Sequence, residues 1–408
     1  AWGAAGLGVF SGLYVPSKAF GEYVEHEYET PSVSAEELHR MMEQGENMVV
    51  LDSRPMGEFT MMNIPTGIDM PGAELVYRVQ EAAPDPSTTI VVNCAGRTRS
   101  IIGAQSLINA GVPNKVVALR NGTMGWHLAG YQLEHGNVRP PPAVSPEGGD
   151  LARQRSRSAA DRFGVRRVDA KTLAGWRSEA AERTLYVLDV RTIEEFEAGH
   201  IAGSRHAPGG QLVQSTDSYM GTHRARVVLV DPEFVRAEMS ASWLRQLGWE
   251  EVYVLDSGFD GQTLEEGART PVLLGDLPAV DLVSPVEAKR SVDAGACFVD
   301  LTRSLDHRDN HPEGAQWGKR ETLESDLKAI ACSEAVLTAA DHRLAVLAAG
   351  DLAESGIRCT VIDGGSRAWE MAGFPMAAGM GAPLAAWEVG LVEQIGRAGG
   401  ISFQSYRS

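Results

Sequence analysis

A cysteine set between arginines is the feature of this sequence with the clearest chemical potential. It follows the apolar run Ile90-Val91-Val92-Asn93 and opens the segment Cys94-Ala95-Gly96-Arg97-Thr98-Arg99-Ser100, after which an apolar helical pattern begins. Cys94 is therefore expected at a helix N-terminus, where unpaired N–H groups and the helix dipole favour an anion. Arg97 and Arg99 add positive charge, and Gly96 lets the backbone curl so that successive amides can bind an anion. The segment predicts a reactive thiolate in an anion-binding loop.

The alternative for Cys94 is a buried structural cysteine flanked by solvated arginines. We favour the reactive thiol, because a core cysteine requires no such polar loop. The remaining cysteines, Cys297, Cys332 and Cys359, form no Cys-x-x-Cys pair and no His-Cys cluster. They lie in or beside predicted strands and are expected to be small buried hydrophobes. The sequence thus predicts neither a disulfide framework nor a metal site.

Composition and charge narrow the classes of function. The 408 residues predict two to four domains, and 54 acidic against 37 basic residues give a net charge of −17, which disfavours nucleic acid and anionic lipid as partners. The basic run from Arg153 to Arg167 predicts a solvated inter-domain helix. No window approaches the roughly 18 apolar residues of a membrane span. Because the four cysteines form no pairing motif in the sequence, a reducing cytoplasm is the expected location.

The chain contains an internal repeat. Three apolar runs end in Asp and predict buried strands: Met48 to Asp52, Leu185 to Asp189, and Cys297 to Asp300. A second strand, a short loop and a helical segment ending in Gly follow each run: Ile90 to Gly111, Val227 to Gly248, and Ala335 to Gly356. The first two copies align without a gap from Asp52 to Gly111. Alternating strands and helices predict an α/β fold in which each repeat is a small, mostly parallel sheet covered by helices on both faces.

The repeat also predicts the domain boundaries. Residues 29–142 form the copy with Cys94, residues 143–275 and 276–388 form two further copies, and residues 389–408 form a tail. The opening Ala1-Trp2-Gly3-Ala4-Ala5-Gly6 is similar to the repeat ends, such as Gly125 to Gly130. Residues 1–28 are therefore expected to be the end of an upstream copy followed by a connector.

With these motifs in view, the sequence resembles the rhodanese (sulfurtransferase) superfamily in its tandem-domain form. The matching features are Asp52-x-Arg54 with Glu58-Phe59, the Cys94 loop closing at Arg99-Ser100, and the ending Asn121 to Trp126; the second repeat adds Asp189-Val190-Arg191 and Gly199 to Ser204. Together they extend over nearly the whole chain.

The resemblance implies a persulfide mechanism. Cys94 would take a sulfane sulfur from a donor such as thiosulfate and pass it to cyanide or a thiol. The loop residues that follow would bind the anionic donor: Ala95, Gly96, Arg97, Thr98, Arg99 and Ser100. Arg99 is expected to have the more structural role of the two arginines because it begins the helix. No metal or organic cofactor is required, and the oligomeric state is left open.

Two other functions remain open. Related folds use a Cys-x5-Arg loop in phosphatases and arsenate reductases, but here Arg99 follows Cys94 after four residues and Ser100 occupies the next position. The shorter loop suits a sulfur atom rather than a tetrahedral phosphate, and its sequence favours thiosulfate over mercaptopyruvate as donor. The other alternative is a sulfur carrier or interaction scaffold, because the second and third repeats have Asp231 and Ala339 in place of the cysteine.

Asp52 and Arg54 are expected to act as structural support. An ion pair between them would fix the loop after the first strand, and we favour this over substrate contact.

Overall fold

The computed structural model of the chain describes residues 15–268, 273, 275–381 and 384. The chain divides into two compact units, residues 1–270 and residues 271–408. The predicted upstream remnant at residues 1–6 and the predicted tail at residues 389–408 lie outside the described residues.

The first unit begins with a five-stranded sheet. Its elements are α1 (Val15–Tyr28), β1 (Ser32–Val33), α2 (Ala35–Glu43), β2 (Met48–Asp52), α3 (Met56–Met61), β3 (Ile68–Asp69), α4 (Glu74–Ala82), β4 (Thr89–Asn93), α5 (Thr98–Asn109), β5 (Val116–Leu119) and α6 (Gly122–Leu128). The strands are parallel and lie in the order β1-β5-β4-β2-β3. Parallel neighbours require crossover connections, and these connections carry the helices onto the faces of the sheet.

Helices cover both faces of this sheet because its central strand is apolar on both sides. Ile90 and Val92 of β4 pack in one cluster with residues of α4 and α5, whereas Val91 packs on the opposite face with residues of α2 and α6. Successive residues of a strand point to opposite faces, so an unbroken apolar run fills two cores.

The same unit contains a second five-stranded sheet. Its elements are α7 (Pro146–Arg162), β6 (Arg166–Val168), α8 (Ala170–Ser178), β7 (Leu185–Asp189), α9 (Ile193–Ala198), β8 (His200–Ile201), β9 (Arg205–His206), α10 (Gly209–Gln214), α11 (Thr216–Tyr219), β10 (Arg226–Val230), α12 (Val235–Gln246), β11 (Val252–Leu255) and β12 (Leu264–Glu265). The parallel order is β6-β11-β10-β7-β9, and β8 pairs with β12 in an antiparallel ribbon. The order repeats that of the first sheet, so the predicted fold class is confirmed.

Helix α7 connects the two sheets of the first unit. Ala152 and Ala159 are buried in a cluster that also contains residues of α4 and α12. The half-exposed Arg157 of α7 pairs with the buried Glu238 of α12 at 3.0 Å. The prediction of a solvated helix from Arg153 to Arg167 is therefore wrong in two respects. The helix ends at Arg162, and Arg166 and Arg167 belong to β6. One face of α7 is also buried, because small residues at helical spacing let it pack closely against its neighbours.

The segment predicted as a connector forms α1, which packs against α5. Val24 of this helix is fully buried in a cluster with Ile101 and Trp243. The domain boundaries proposed from the repeats remain predictions.

The second unit contains one five-stranded sheet. Its elements are β13 (Asp281–Val283), α13 (Pro285–Asp293), β14 (Cys297–Asp300), α14 (Ser304–Asp309), β15 (His311–Pro312), β16 (Gln316–Trp317), α15 (Leu323–Ala329), β17 (Glu334–Thr338), α16 (His342–Asp351), β18 (Arg358–Ile362), α17 (Gly365–Met371) and β19 (Met376–Ala377). The parallel order β13-β18-β17-β14-β16 matches the other two sheets, and β15 pairs with β19.

Two cysteines of the second unit form a disulfide, which corrects the sequence interpretation. Cys297 and Cys332 are bonded, with a Cα–Cα distance of 6.4 Å. Cys297 begins β14 and pairs in register with Ala335 of β17, three residues after Cys332. Neighbouring parallel strands bring together cysteines that are distant in sequence, which a search for local Cys spacing does not detect. The disulfide also removes the basis for assigning a reducing compartment, since that argument required unpaired thiols.

Two absences hold for the described part of the chain. None of its helices is both long enough and apolar enough to cross a membrane. Within the same residues, no group of three or more His, Cys, Asp or Glu side chains is placed to hold a metal ion.

Candidate active site

The predicted nucleophile lies where β4 ends and α5 begins. Cys94 directly follows β4 and is buried, with 2% of its surface exposed. Its Sγ lies 3.6 Å from Ser100 Oγ, and Ser100 Oγ donates a hydrogen bond of 2.8 Å to the Arg97 carbonyl. The N–H groups of the first turn of α5 have no partner within the helix. Cys94 therefore lies at the N-terminal end of α5, where unpaired N–H groups and the helix dipole favour an anion.

The first turn of α6 is hydrogen-bonded to the Cys94 loop. The N–H groups of Thr123 and Met124 donate to the carbonyls of Cys94 and Ala95 at 2.8 and 3.0 Å. Gly122 precedes them with φ +55°, and a Cβ atom at this position would lie 2.2 Å from the Cys94 carbonyl oxygen. Only glycine allows α6 to begin so close to the loop, so Gly122 fixes the position of the nucleophile.

A buried ion pair supports the neighbouring strand end. Arg54 donates from Nε and Nη2 to the two oxygens of Asp52 at 2.8 and 2.7 Å, and to the Met62 carbonyl at 2.7 Å. Asn93 Nδ2 donates at 2.9 Å to both Asp52 Oδ2 and Thr123 Oγ1. These bonds join the ends of β2 and β4 to α6. The sequence analysis anticipated a pair between Asp52 and Arg54, and its role in supporting the loop remains a prediction.

Of the two loop arginines, Arg99 faces the interior. Its guanidinium binds both carboxylate oxygens of Glu58 at 2.7 Å and lies 3.3 Å from Gln211 Oε1. Burial acts to lower the pKa of Arg99, but the Glu58 hydrogen bonds and the charges of Cys94 and Asp52 outweigh it, so the net direction is upward. Arg99 thus stays cationic next to the cysteine.

Arg97 points away from the interior. Its guanidinium pairs with Glu25, and with Glu22 at 3.1 Å, both on α1, and nearly half of its side chain is exposed. The sequence predicts that Arg99 has the more structural role, whereas this geometry favours Arg99 over Arg97 as the arginine that acts on an anion beside Cys94. The proposed substrate contacts of Ala95, Gly96, Arg97, Thr98, Arg99 and Ser100 remain predictions; of these six, Ser100 has its hydroxyl 3.6 Å from Cys94 Sγ.

Sequence reasoning missed a buried carboxyl at the same edge of the sheet. Asp69 ends β3 and pairs in register with Asp52, which pairs in turn with Asn93. It is 2% exposed, and its Oδ1 has no hydrogen-bond partner. Burial, followed by the negative charge of Asp52, raises the pKa of Asp69 to about 7. A strand of two residues has no periodicity, so the sequence offered no signal for this residue.

The equivalent loop of the second domain is occupied by its own side chain. Asp231 is fully buried and accepts hydrogen bonds from the N–H groups of Glu233 and Arg236 at 3.2 and 2.8 Å. The Arg236 guanidinium donates to the same carboxylate at 2.9 Å and also pairs with Glu195 and Glu74. The loop of the second domain is therefore filled by the side chain of Asp231.

The third loop has no ionisable group at the position of the nucleophile. Ala339 is fully buried there. Gly365 has φ +65°, and a Cβ on it would lie 2.2 Å from the Ala339 carbonyl oxygen. The arrangement of helix and loop is thus the same as around Cys94, without the sulfur.

Comparisons with known proteins agree with this geometry. The rhodanese-like domain family matches the chain at residues 34–129 and 170–264, which contain the Cys94 and Asp231 loops. The crystal structure of a thiosulfate sulfurtransferase from Pseudomonas aeruginosa is 46% identical, with a TM-score of 0.89 over 98% of this chain and 80% of that one. The uncharacterized protein YqhL of Bacillus subtilis (strain 168) is 38% identical over 89 residues, which make up 22% of this chain and 69% of that protein.

Proposed function

The chain belongs to the rhodanese family, and from this premise we propose that it is a sulfurtransferase whose Cys94 carries sulfur as a persulfide. The proposed donor is thiosulfate and the proposed acceptor is cyanide or a thiol. The similarity to a thiosulfate sulfurtransferase at 46% identity supports this class of donor. The interior position of Arg99 beside the cysteine supports an anionic substrate.

The proposed reaction has two displacement steps. The Cys94 thiolate attacks the outer sulfur of thiosulfate, a sulfur–sulfur bond forms, and the bond to the sulfonate sulfur breaks, so that sulfite leaves with the electron pair. Cyanide then attacks the outer sulfur of the persulfide, giving thiocyanate and regenerating the thiolate. The positive end of α5 would stabilise the negative charge in both steps.

The observation that carries this proposal is the internal anion of the second domain. The carboxylate oxygens of Asp231 lie two bonds beyond Cβ, which is also the position of the outer sulfur in a cysteine persulfide. They are held by the N–H groups of Glu233 and Arg236. In the gap-free alignment of the two repeats, the equivalent N–H groups of the first domain are those of Gly96 and Arg99. A loop of the same shape around Cys94 would hold the negatively charged outer sulfur of a persulfide in the same way.

We also propose that the second and third domains perform no sulfur transfer. Asp231 cannot accept a sulfane sulfur, and its carboxylate already fills the loop. Ala339 carries no reactive atom. Placing a cysteine at either position in a Cys94→Ser background should leave activity far below that of the wild type, because Phe234 and His342 replace Arg97 in these loops.

The test is thiocyanate formation from thiosulfate and cyanide. Cys94→Ser should abolish turnover while the protein remains folded. Cys359→Ser is the matched control, because this half-buried thiol has its pKa raised by burial to about 11 and is expected to take no part. Turnover by Cys94→Ser, or hydrolysis of an aryl phosphate that depends on Cys94, would overturn the proposal.

A further inference from the structure

The two domains of the first unit contact each other reciprocally. A Cβ on Gly72 would approach Gly210 to 3.3 Å, and a Cβ on Gly209 would approach Ala73 to 2.9 Å. Gly209 and Gly210 occupy the positions in the second repeat that Gly72 and Ala73 occupy in the first. Gly72 thus lies against Gly210, the equivalent of Ala73, and Ala73 lies against Gly209, the equivalent of Gly72. Such reciprocal contacts are the pattern of a two-fold axis between the domains.

The site arginine takes part in one of these reciprocal contacts. Arg99 lies 3.3 Å from Gln211 of the second domain, and its equivalent Arg236 lies 3.1 Å from Glu74 of the first. Gln211 is the equivalent of Glu74. Each guanidinium thus reaches across the domain boundary to the same position of the other domain.

The two contacts differ in charge. Arg236 pairs with the carboxylates of Asp231, Glu195 and Glu74, so three carboxylates face its one positive charge. Arg99 binds one carboxylate, that of Glu58, and then the amide of Gln211. An amide oxygen accepts the same hydrogen bond without adding negative charge. The two equivalent positions therefore differ: the amide of Gln211 lies beside the Cys94 loop, and the carboxylate of Glu74 lies beside the Asp231 loop.

We propose that Gln211 is a positioning residue that the second domain supplies to the Cys94 site. Its amide oxygen holds the Arg99 guanidinium in place and adds no second negative charge beside the anionic donor. The inference rests on the proposed function and assigns the second domain a part in it. The site is complete only when both domains are docked.

The test is Gln211→Glu in the full chain, assayed for thiocyanate formation. The KM for thiosulfate should rise about tenfold, the order expected from one added negative charge near the anion at a partly screened site. The kcat should change less than the KM. A thiosulfonate monoanion should show a smaller rise in KM than the thiosulfate dianion, and high salt should reduce both effects. A merely structural defect would not depend on donor charge or salt.

Two further variants complete the experiment. Glu74→Gln makes the reverse change at the symmetric position, beside Arg236, and should leave the KM for thiosulfate within about twofold of wild type. Gln211→Met keeps the shape but removes the hydrogen bond, and should lower kcat while changing KM less than Gln211→Glu does.

The outcomes separate this inference from the proposed function. If the wild type shows no Cys94-dependent turnover, the proposed function fails. If it turns over and Gln211→Glu retains the wild-type KM, or shifts the dianion and monoanion equally, the role of Gln211 is refuted and the function stands.

Discussion

Replacing Gly122 with Ala should slow sulfur transfer about a hundredfold by moving the Cys94 loop. At φ +55° an alanine costs about 1–2 kcal/mol from its left-handed backbone alone. The added Cβ would also lie 2.2 Å from the Cys94 carbonyl oxygen and 2.7 Å from that of Gly96. Ordinary contact requires roughly 3.5 Å, so the loop must shift by about 1 Å. A shift of that size at a reacting atom costs on the order of a hundredfold in rate.

Gly111→Ala is the matched control for this variant. Gly111 has φ +70°, and nothing lies within 4 Å of the position that its Cβ would take. Its substitution should therefore add the same backbone strain, about 1–2 kcal/mol, without touching the site.

The assay is kcat/KM for thiosulfate and cyanide, with the free energy of unfolding measured in denaturant for each variant. Gly122→Ala should lose about a hundredfold in kcat/KM, whereas Gly111→Ala should stay within about twofold despite its lower stability. Wild-type kcat/KM in Gly122→Ala, or equal losses in both variants, would refute the argument that α6 fixes the nucleophile.

Three other measurements test separate parts of the site. In the folded protein the pKa of Asp69 is about 7, above its ordinary value. The free energy of unfolding of wild type, measured in urea, should therefore fall relative to that of Asp69→Asn as the pH rises from about 4 to about 8. A difference that does not depend on pH would contradict the burial of this carboxyl. Arg99→Ala should lower kcat/KM for thiosulfate about tenfold to a hundredfold, and Arg97→Ala should lower it by less. A larger loss in Arg97→Ala, measured by steady-state kinetics, would instead support Arg97 as the main donor-binding residue. Thiol titration of the denatured, unreduced protein should find two thiols, since Cys297 and Cys332 are paired, and finding four would show that the disulfide is absent.

The strands and the loop from Cys94 to Ser100 could be predicted because their signals are local. The runs Met48 to Asp52 and Leu185 to Asp189 coincide with β2 and β7, since unbroken apolar segments of this length form buried strands. The loop from Cys94 to Ser100 is contiguous, so a strand end and a helix start suffice to gather its residues. No long-range contact was needed for this part of the site.

The residues that contact the two loop arginines could not be predicted, because they belong to other elements of the fold. The contact between Gln211 and Arg99 depends on how two domains dock, and Glu22 and Glu25 reach Arg97 only because α1 packs beside α5. One signal did exist: the gap-free repeat alignment places Gln211 opposite Glu74, a change from carboxylate to amide. Such a change becomes meaningful only when the structure reveals its arginine partners.

The most direct test of the central claim is mass spectrometry of the intact protein and its peptides after incubation with thiosulfate. The account predicts a mass increase of one sulfur atom per chain, located on the peptide that contains Cys94, removed by cyanide with formation of thiocyanate. It also predicts that the increase is lost in Cys94→Ser and kept in Cys359→Ser. No added sulfur, or sulfur on a cysteine other than Cys94, would contradict it.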